Sequence, residues 1–319
     1  MPKVDVPMID LNNGTKIPSI GLGLFQPDKS EVNLTKQIVL DALEAGYRHF
    51  DSAQIYNNED KLGEAIAEWL KKDKNNKRED LYITTKLWNT FHEEEQVGPS
   101  LKRSLEKLKL DYIDLFLIHS PMAHVYDGPE ISLEKNTGSL THPFEETWQA
   151  MEKLVESGKV KSIGVSNFNK RQIERILKIA KIKPVVNQIE SSIVFPNEKL
   201  IEFCKSKNIQ VEAYAQLGNP GLFKENKWLL ENPKIIEMAK KYKKTPAQLC
   251  IKYCHQKKMI VLPKSTKKER VIENLNILDF EISKEDMKVL EKDVEKRDRF
   301  YNIAKFVGHH AEDPTKDEF

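Results

Sequence analysis

The chain is poor in cysteine, with three in 319 residues, and no apolar run approaches the length that crosses a membrane. So few cysteines argue against a disulfide framework and indicate reduced thiols in a reducing compartment. The opening residues, MPKVDVPMID, contain acidic residues and prolines where a signal peptide needs an apolar core. We therefore expect a cytoplasmic protein with no membrane partner.

The chain also lacks a large excess of charge of either sign, because its 51 Lys and Arg residues nearly balance its 49 Asp and Glu residues, for a formal net charge of +2. Lysine-rich stretches at residues 71–77 and 240–244 are candidates for a nucleic-acid surface. Solvated helix ends explain them better, since Asp and Asn interrupt the first stretch and no large positive field is implied. With 39% hydrophobic and 31% charged residues, the composition is that of an ordinary soluble enzyme. We expect a monomer with no nucleic-acid partner.

A metal cluster is not indicated either. Cys250, Cys254 and His255 in QLCIKYCHQ look at first like metal ligands. Their spacing instead puts the two thiols one helical turn apart, and no second pair completes a tetrahedral site. We interpret them as a buried helix face and predict no metal.

Eight short runs rich in β-branched and aromatic residues alternate with segments of helical periodicity, such as residues 61–70 and 101–108. The predicted strands lie at residues 20–24, 49–53, 82–87, 114–119, 162–166, 186–190, 211–215 and 260–265. Strands that alternate with helices imply a parallel sheet with right-handed crossovers, and eight units fit a closed barrel. The predicted fold is therefore α/β, a (β/α)8 TIM barrel.

One domain over residues 1–319 is expected, although length alone, at about 150 residues per domain, allows two. The alternation is uninterrupted, and there is no linker, repeat or low-complexity tract. Residues 8–11 and 16–18 flank Asn13-Gly14, a turn dipeptide that predicts an N-terminal hairpin across the barrel floor. Long loops at residues 122–144 and 218–232, with the tail after Arg297, are expected over the C-terminal mouth.

Four polar residues lie where three successive predicted strands end: Asp51, Tyr56, Lys86 and His119. In such a barrel the carboxyl ends of the strands line the open mouth and carry the chemistry, so these side chains can converge. An ammonium carried into the mouth loses hydration worth on the order of 20 kcal/mol in the idealised limit. Lys86 therefore needs a partner, and Asp51 is the neighbouring carboxylate.

Together the four residues make a proton-delivery site. A phenol has an ordinary pKa of about 10, and a nearby ammonium favours the phenolate, so we expect Lys86 to lower the pKa of Tyr56. His119 is placed to donate from a ring nitrogen to the same oxygen position, which would orient a substrate carbonyl and allow it to share the proton.

Each residue also has a structural interpretation. Asp51 fits a helix cap or an ion-pair partner, Tyr56 fits loop packing, and His119 fits a satisfied core histidine. Lys86 is hardest to explain in this way, because lysine is rarely buried. The conjunction of the four at adjacent strand ends favours the functional interpretation.

Five long stretches, in order along nearly the whole chain, resemble the aldo-keto reductases. They are GYRHFDSAQIYNNEDKLGEAI (46–66), TTKLWNT (84–90), DYIDLFLIHSP (111–121), GKVKSIGVSNF (158–168) and LPKSTKKERVIEN (262–274). In that family the residues matching Tyr56, Lys86, Asp51 and His119 are the proton donor, its activator, the activator's ion-pair partner and the carbonyl-orienting histidine. The resemblance implies an NADPH-dependent reductase that converts aldehydes, and some ketones, to alcohols.

A carbonyl reduction needs a hydride that no side chain here supplies, so a nicotinamide cofactor is implied. The dinucleotide fingerprint of the doubly wound fold is absent, because the GLG at residues 21–23 lacks a third glycine and begins no helix. Better phosphate candidates are Lys264 and Ser265 at the end of the last strand and Arg270 in the next helix. Arg binds phosphate bidentately and Lys adds a point charge, so with the adenosine 2′-phosphate that the resemblance assigns to them, these residues favour NADPH over NADH. The neighbouring lysines at 267 and 268 are interpreted as a solvated face.

By resemblance, Lys264, Ser265 and Arg270 hold the adenosine 2′-phosphate. The resemblance also assigns Glu273 and Asn274 to the adenine, Ser166, Asn167 and Gln188 to the carboxamide, Tyr214 to stacking on the nicotinamide, and Leu217 to the cofactor site. The substrate pocket above the nicotinamide is predicted to be lined by Phe25, Ile55, Trp88, Phe91 and Ser120. Such a pocket suits carbonyl compounds with hydrophobic bodies, and ordinary rim packing is the alternative.

The sequence departs from the family pattern in four places. Phe25 stands where many relatives have tryptophan, and Ser120 follows the histidine where an aromatic is frequent, which predicts a wider or more polar pocket. Ala215 and Gln216 replace the usual Ser-Pro pair. Gly221 lies near where some relatives have an acidic residue that closes a loop over the pyrophosphate. We therefore expect NADP to leave faster here than from those relatives.

Two other functions fit the same residues. A ketosteroid or other bulky-ketone reductase would use the same four side chains, since Phe25 and Ser120 leave room. A cofactor-binding regulatory or structural protein is the non-enzyme alternative, and turnover separates it from a reductase.

Overall fold

The structure, a computed structural model, describes residues 5–26, 28–131, 138–218, 220, 228–295, 299–301 and 308–317. It begins with an antiparallel hairpin of β1 (Met8–Asp10) and β2 (Lys16–Pro18), as the turn dipeptide predicts. Asn12 in this hairpin donates through Nδ2 to the carbonyls of Pro184 (2.8 Å) and Asn208 (2.9 Å), which precede two barrel strands. The hairpin therefore covers the amino-terminal floor.

Eight further strands form one parallel sheet in chain order. They are β3 (Leu22–Gly23), β4 (His49–Asp51), β5 (Tyr82–Leu87), β6 (Ile113–Ile118), β7 (Val160–Ser166), β8 (Val186–Glu190), β9 (Gln210–Tyr214) and β10 (Ile260–Val261). Ile20 bridges Val261 in parallel, and the amides of Gly21 and Gly23 donate to Val261 (2.9 Å) and Pro263 (3.0 Å). These bonds join the last strand to the first, so the predicted barrel is confirmed.

The sequence of β6 shows how one apolar run fills two layers. Leu115 and Leu117 belong to the cluster inside the barrel, whereas Phe116 and Ile118 belong to the larger cluster under the helices. Successive strand side chains point to opposite faces, so a strand buried on both faces is apolar throughout. A charged residue inside such a strand therefore needs a specific partner.

Eleven α-helices lie within the described residues. They are α1 (Thr35–Ala45), α2 (Glu59–Lys72), α3 (Glu94–Leu108), α4 (Phe144–Glu156), α5 (Lys170–Ile179), α6 (Glu198–Ser206), α7 (Trp228–Glu231), α8 (Pro233–Lys241), α9 (Pro246–Gln256), α10 (Lys268–Leu275) and α11 (Lys284–Lys292). Two helix starts follow directly from the sequence, because Asn169 with Gln172 and Thr245 with Gln248 form capping boxes.

Some predicted strand ends differ from the structure. β4 ends at Asp51 rather than residue 53, and β10 ends at Val261 rather than residue 265. Leu262 still donates to the carbonyl of Ala213 (3.2 Å), but Pro263 has no N–H to continue the ladder. Residues 264 and 265 therefore lie in the loop above the strand, at the barrel mouth.

The predicted mouth loops fall partly within the described residues. His124 bridges Ser139 inside the loop at 122–144, and α7 lies in the loop at 218–232. Gly221 and residues 132–137, 222–227, 296–298 and 302–307 lie outside the described residues. The expectation about Gly221 therefore concerns a part of the chain that the structure does not describe.

All three cysteines, Cys204, Cys250 and Cys254, are buried and free. Burial raises the pKa of Cys204 to about 11 and that of Cys254 to about 12, so both thiols are protonated at neutral pH.

In the described ranges, no helix is both long and apolar enough to cross a lipid bilayer. The same ranges hold no three His, Cys, Asp or Glu side chains placed to bind a metal ion.

Candidate active site

A buried ion pair lies at the base of the barrel mouth. Lys86 in β5 is fully buried and donates through Nζ to Asp51 Oδ1 (2.6 Å) and to the Ser52 carbonyl (2.9 Å). Asp51 in β4 is only 4% exposed. The ammonium therefore exchanges its hydration for one carboxylate and one carbonyl oxygen, as a buried lysine requires.

Tyr56 and His119 lie beside this pair, at the ends of the neighbouring strands. Lys86 Nζ is 5.1 Å from the Tyr56 ring centroid, and the Tyr56 and His119 rings meet edge to face at 5.7 Å. The turn that carries Tyr56 is fixed below by Asn58, which accepts from Ser52 Oγ (2.7 Å) and donates to the Leu24 carbonyl (2.8 Å). The structure thus brings together the four residues that the sequence singles out.

The environment sets opposite trends for the two titratable rings. Burial, and secondarily the charge of Asp51, raises the pKa of Tyr56 well above that of an ordinary phenol. This differs from the lowered pKa that the sequence predicts, because Asp51 neutralises the ammonium of Lys86. Burial, and then Lys86, lowers the pKa of His119 well below its usual range. Near neutral pH Tyr56 keeps its proton and His119 is neutral.

Sequence reasoning missed a second carboxyl group in this network. Glu212 in β9 is fully buried, and its Oε2 accepts from Gln188 Nε2 (2.9 Å), which also donates to Asp51 Oδ2 (2.8 Å). His49 Nε2 lies 3.7 Å from Glu212 Oε1. The signal was available, because a glutamate inside the predicted strand 211–215 is as unusual as Lys86 inside its own strand.

The predicted carboxamide and stacking residues form one hydrogen-bonded group next to the four. Asn167 Nδ2 donates to the His119 carbonyl (2.9 Å) and to Ser166 Oγ (3.1 Å), and Tyr214 Oη donates to Asn167 Oδ1 (2.7 Å). Both N–H groups of Gln188 are held by carboxyl groups, so its amide oxygen is the atom left to accept from a ligand N–H. These polar groups fit a carboxamide.

The predicted phosphate residues lie at the start of α10. Arg270 is exposed and has no ion-pair partner among the described residues, whereas Lys264 lies 3.8 Å from Glu31. No described side chain caps α10, so its first N–H groups can meet an anion. Lys268 forms an ion pair with Asp41 (2.9 Å). This contact is compatible with its interpretation as a solvated surface residue. This end of the site fits a phosphate.

Of the two residues predicted near the adenine, one has a hydrogen-bond partner within the protein and the other is buried. Glu273 Oε1 accepts from Thr245 Oγ1 (2.7 Å), the N-cap of α9, and Asn274 is 2% exposed. Leu217, the remaining predicted cofactor contact, is half-buried against the outer core.

The predicted pocket residues divide into two groups. Phe25 lies 5.0 Å from the Tyr56 ring and Trp88 lies 5.2 Å from the His119 ring, so both flank the site directly. Ile55 is buried in the turn before Tyr56. By contrast, Phe91 is fully buried and packs under the Arg103 guanidinium, and Ser120 Oγ donates to Asn89 Oδ1 (2.9 Å). These two contact neighbouring residues rather than the open mouth.

Glu190 at the end of β8 holds part of the C-terminal segment over the mouth. Its carboxyl oxygens accept from the amides of Phe300 (2.7 Å) and Tyr301 (2.9 Å), and the Tyr301 ring packs edge to face on Tyr214 at 5.6 Å. Burial raises the pKa of Glu190 to about 7. Sequence reasoning missed this contact as well.

A buried phenol and a neutral imidazole beside an ion pair, with polar groups that fit a carboxamide and a phosphate along one barrel mouth, are the arrangement expected of an oxidoreductase that reduces carbonyl groups. Comparison with known proteins agrees. The chain matches the model of the Aldo/keto reductase family over residues 19–295, and it belongs to that family.

Individual relatives are similar over nearly their whole length. Estradiol 17 beta-dehydrogenase 5 from Mus musculus is 40% identical over 323 residues, which cover 98% of each chain. The solved aldose reductase from Schistosoma japonicum is 42% identical with a TM-score of 0.89, over 98% of this chain and 100% of that one. An aldo-keto reductase from Bombyx mori, solved in complex with NADP, is 35% identical with a TM-score of 0.87, over 97% and 99%.

Proposed function

We propose that this chain reduces aldehydes, and some ketones, to alcohols with NADPH, and that Tyr56 is the proton donor. The observation that carries the proposal is the Lys86–Asp51 pair, buried directly beside the two rings, Tyr56 and His119, that we assign to proton delivery. A buried ion pair of this kind is weak evidence for stability, so a role in chemistry explains it better.

Each of the four residues of the proton-delivery site has its own proposed role in the reduction. Tyr56 Oη gives its proton to the carbonyl oxygen as that oxygen becomes the alcohol, and the neutral His119 ring donates a hydrogen bond to the same oxygen. Lys86 offsets the negative charge left on Tyr56, and Asp51 holds Lys86 in place. When bound, the reduced nicotinamide supplies the hydride that the carbonyl carbon takes up.

The cofactor is proposed to extend from the residues that bind its carboxamide to the start of α10. Its proposed contacts are Ser166, Asn167, Gln188, Tyr214, Leu217, Lys264, Ser265, Arg270, Glu273 and Asn274. The exposed Arg270 and the uncapped α10 support a 2′-phosphate, hence NADPH, and the Bombyx mori relative carries NADP.

The substrate is proposed to be a small carbonyl compound with an apolar body. Phe25, Trp88 and Ile55 support this, since they flank the two rings; Phe91 and Ser120 are proposed to shape the pocket from behind. The Schistosoma japonicum relative is named an aldose reductase, and the mouse relative is named for a steroid alcohol. A bulky-ketone reductase is therefore the second candidate, distinguished by substrate rather than by site.

We also propose a single domain over residues 1–319 that acts as a monomer in the cytoplasm, without nucleic-acid or membrane partners. The closed sheet and the three buried free thiols support the domain and a reducing compartment, and the net charge of +2 gives no reason to expect an acidic partner.

Tyr56→Phe tests the proton-donor role. We expect NADPH oxidation with aromatic aldehydes, aldoses and ketosteroids to fall about 10²- to 10⁴-fold, the usual contribution of a general acid, while NADPH binding stays nearly unchanged. Tyr112→Phe is the matched control, because that ring packs with Arg78 and Lys161 outside the site. Full turnover in Tyr56→Phe would refute the assignment, and cofactor binding without any turnover by the wild type would indicate a regulatory protein.

A further inference from the structure

Glu212 is an ionisable side chain in the middle of β9, between the buried residues Val211 and Ala213. It lies directly opposite Gln188 in the register of β8 and β9, and opposite Ile260 in β10. Its side chain is fully buried inside the barrel, below the four residues of the proton-delivery site. A carboxyl group does not occupy such a position without a partner or a proton.

One amide joins this carboxyl group to the active site. Gln188 uses both of its N–H groups, one on Asp51 Oδ2 (2.8 Å) and one on Glu212 Oε2 (2.9 Å). Glu212 therefore fixes the rotation of the Gln188 amide and directs the amide oxygen toward the proposed carboxamide. Without Glu212 the second N–H would lack this acceptor, and only the bond to Asp51 would hold the amide.

The charges around Glu212 do not balance if both carboxyl groups are ionised. Lys86 contacts Asp51, and among the described residues it is the one ammonium that faces the pair. His49 in β4 lies 3.7 Å from Glu212 Oε1, but burial lowers the pKa of His49 to about 3, so it is neutral. Tyr82 in β5 is an uncharged phenol. Within the described part of the chain Glu212 Oε1 has no hydrogen-bond partner, which suits an uncharged carboxyl group far better than a carboxylate.

We propose that Glu212 is a positioning residue of the reduction: it anchors Gln188 for the nicotinamide carboxamide, and it holds a proton so that the site carries one carboxylate rather than two. The inference rests on the proposed function, since it specifies how that site is held. Burial, and then the charge of Asp51, raises the pKa of Glu212 to about 8, which agrees with a protonated group at neutral pH.

Ionisation of Glu212 has a predictable consequence for the reaction. Above a pH of about 8 a second negative charge appears behind Lys86, where it opposes the negative charge that develops on the substrate oxygen. The rate of reduction should therefore fall as the pH rises through this value. A neutral side chain of the same shape should move this fall to higher pH.

The protonation state is tested by infrared difference spectroscopy of wild type and Glu212→Gln near neutral pH, without cofactor. We expect the wild type to show the carbonyl stretch of a buried protonated carboxyl group that Glu212→Gln lacks and that disappears at alkaline pH. Glu59→Gln is the matched control, because Glu59 is also buried but accepts from Thr85 Oγ1 away from Gln188. It should remove a different band. A carboxylate band for Glu212 at neutral pH would overturn the proposal.

The anchoring role is tested by NADP⁺ titration followed by tryptophan fluorescence. Glu212→Gln keeps an oxygen for Gln188, so we expect its Kd for NADP⁺ within about twofold of wild type. Glu212→Ala removes that oxygen, and the loss of one such hydrogen bond should raise the Kd about three- to tenfold. Equal affinity in all three proteins would overturn the anchoring role.

The pH profile of kcat/KM completes the test. We expect the alkaline fall to move to higher pH in Glu212→Gln and to stay in place in Glu59→Gln, which a merely structural effect would not produce. Superimposable profiles for wild type and Glu212→Gln would count against the proposal. The infrared and binding results do not depend on turnover, so they remain decisive even if Tyr56→Phe shows the proposed function to be wrong.

Discussion

Removal of the Lys86 ammonium is the sharpest test of the ion pair beneath the site. In Lys86→Met the Asp51 carboxylate loses its 2.6 Å contact, and Gln188 remains as its side-chain donor among the described residues. Removal of one partner from a buried ion pair costs about 3–5 kcal/mol, because an uncompensated charge stays buried. We expect a decrease of that size in the free energy of unfolding.

A second variant shows whether the stranded charge is the cause. Asp51→Asn, added to Lys86→Met, removes the charge and keeps an oxygen that can accept from Gln188. We expect the double variant to regain about 2 kcal/mol, the penalty of a buried charged group left without a partner. A decrease caused only by lost packing would not be reversed in this way.

Thermal unfolding followed by circular dichroism measures both effects. At this chain length 1 kcal/mol corresponds to about 2 °C in Tm, so Lys86→Met should unfold about 6–10 °C below the wild type. Lys252→Met is the matched control, because Lys252 is buried to a similar degree but packs on the Phe280 ring without a carboxylate partner among the described ion pairs. A Tm for Lys86→Met within about 2 °C of wild type, or a double variant no more stable than the single one, would refute the reasoning.

Two further predictions concern the ends of the site. Arg270→Ala should weaken the binding of NADPH about tenfold or more and that of NADH little, since only NADPH has the 2′-phosphate that the guanidinium is proposed to bind. Fluorescence titration measures both affinities, with Lys267→Ala as the control. Equal weakening of the two cofactors would place the 2′-phosphate elsewhere. Glu190 has a folded pKa of about 7 against an ordinary 4.5, so the folded state binds its proton more tightly and the free energy of unfolding falls as the pH rises between these values. Glu190→Gln should lack this slope in urea unfolding at about pH 5 and about pH 8, and parallel slopes would contradict the assignment.

The sequence predicts the barrel well because the signals are local. β5 and β8 have the bounds that the sequence predicts, and the hairpin follows from Asn13-Gly14. The errors fall at strand ends, and the one at Pro263 was avoidable, because a proline has no N–H to continue the hydrogen-bond ladder. The four residues of the proton-delivery site were identified because each breaks the apolar pattern of its strand or follows its end.

The C-terminal segment could not be predicted from the sequence, because its contacts are polar and distant in the chain. Glu312 and Asp317 accept from Arg171 and Arg175 in α5, and Asn169 Nδ2 donates to Asp317 Oδ2 (2.6 Å). No periodicity links residues some 140 positions apart, and charged pairs of this kind exist in many possible combinations. Similarly, the sequence places Glu190 at the end of a strand but does not show that its carboxyl group accepts from the amides of Phe300 and Tyr301.

The contact between Gln188 and Asp51 shows what closure of the barrel adds to the chemistry. β4 and β8 are separated by three strands in the sheet, and in an open sheet with strands about 4.8 Å apart they would lie about 19 Å from each other. The 2.8 Å bond between their side chains therefore crosses the barrel interior. Asp51 and Lys86 are neighbours because β4 and β5 are adjacent in the sheet. Gln188 and Glu212 lie beneath them only because the sheet closes into a barrel. The charge state of the proton-delivery site is consequently set by residues on the opposite wall, which is why Glu212 is expected to change its pH dependence without touching the substrate.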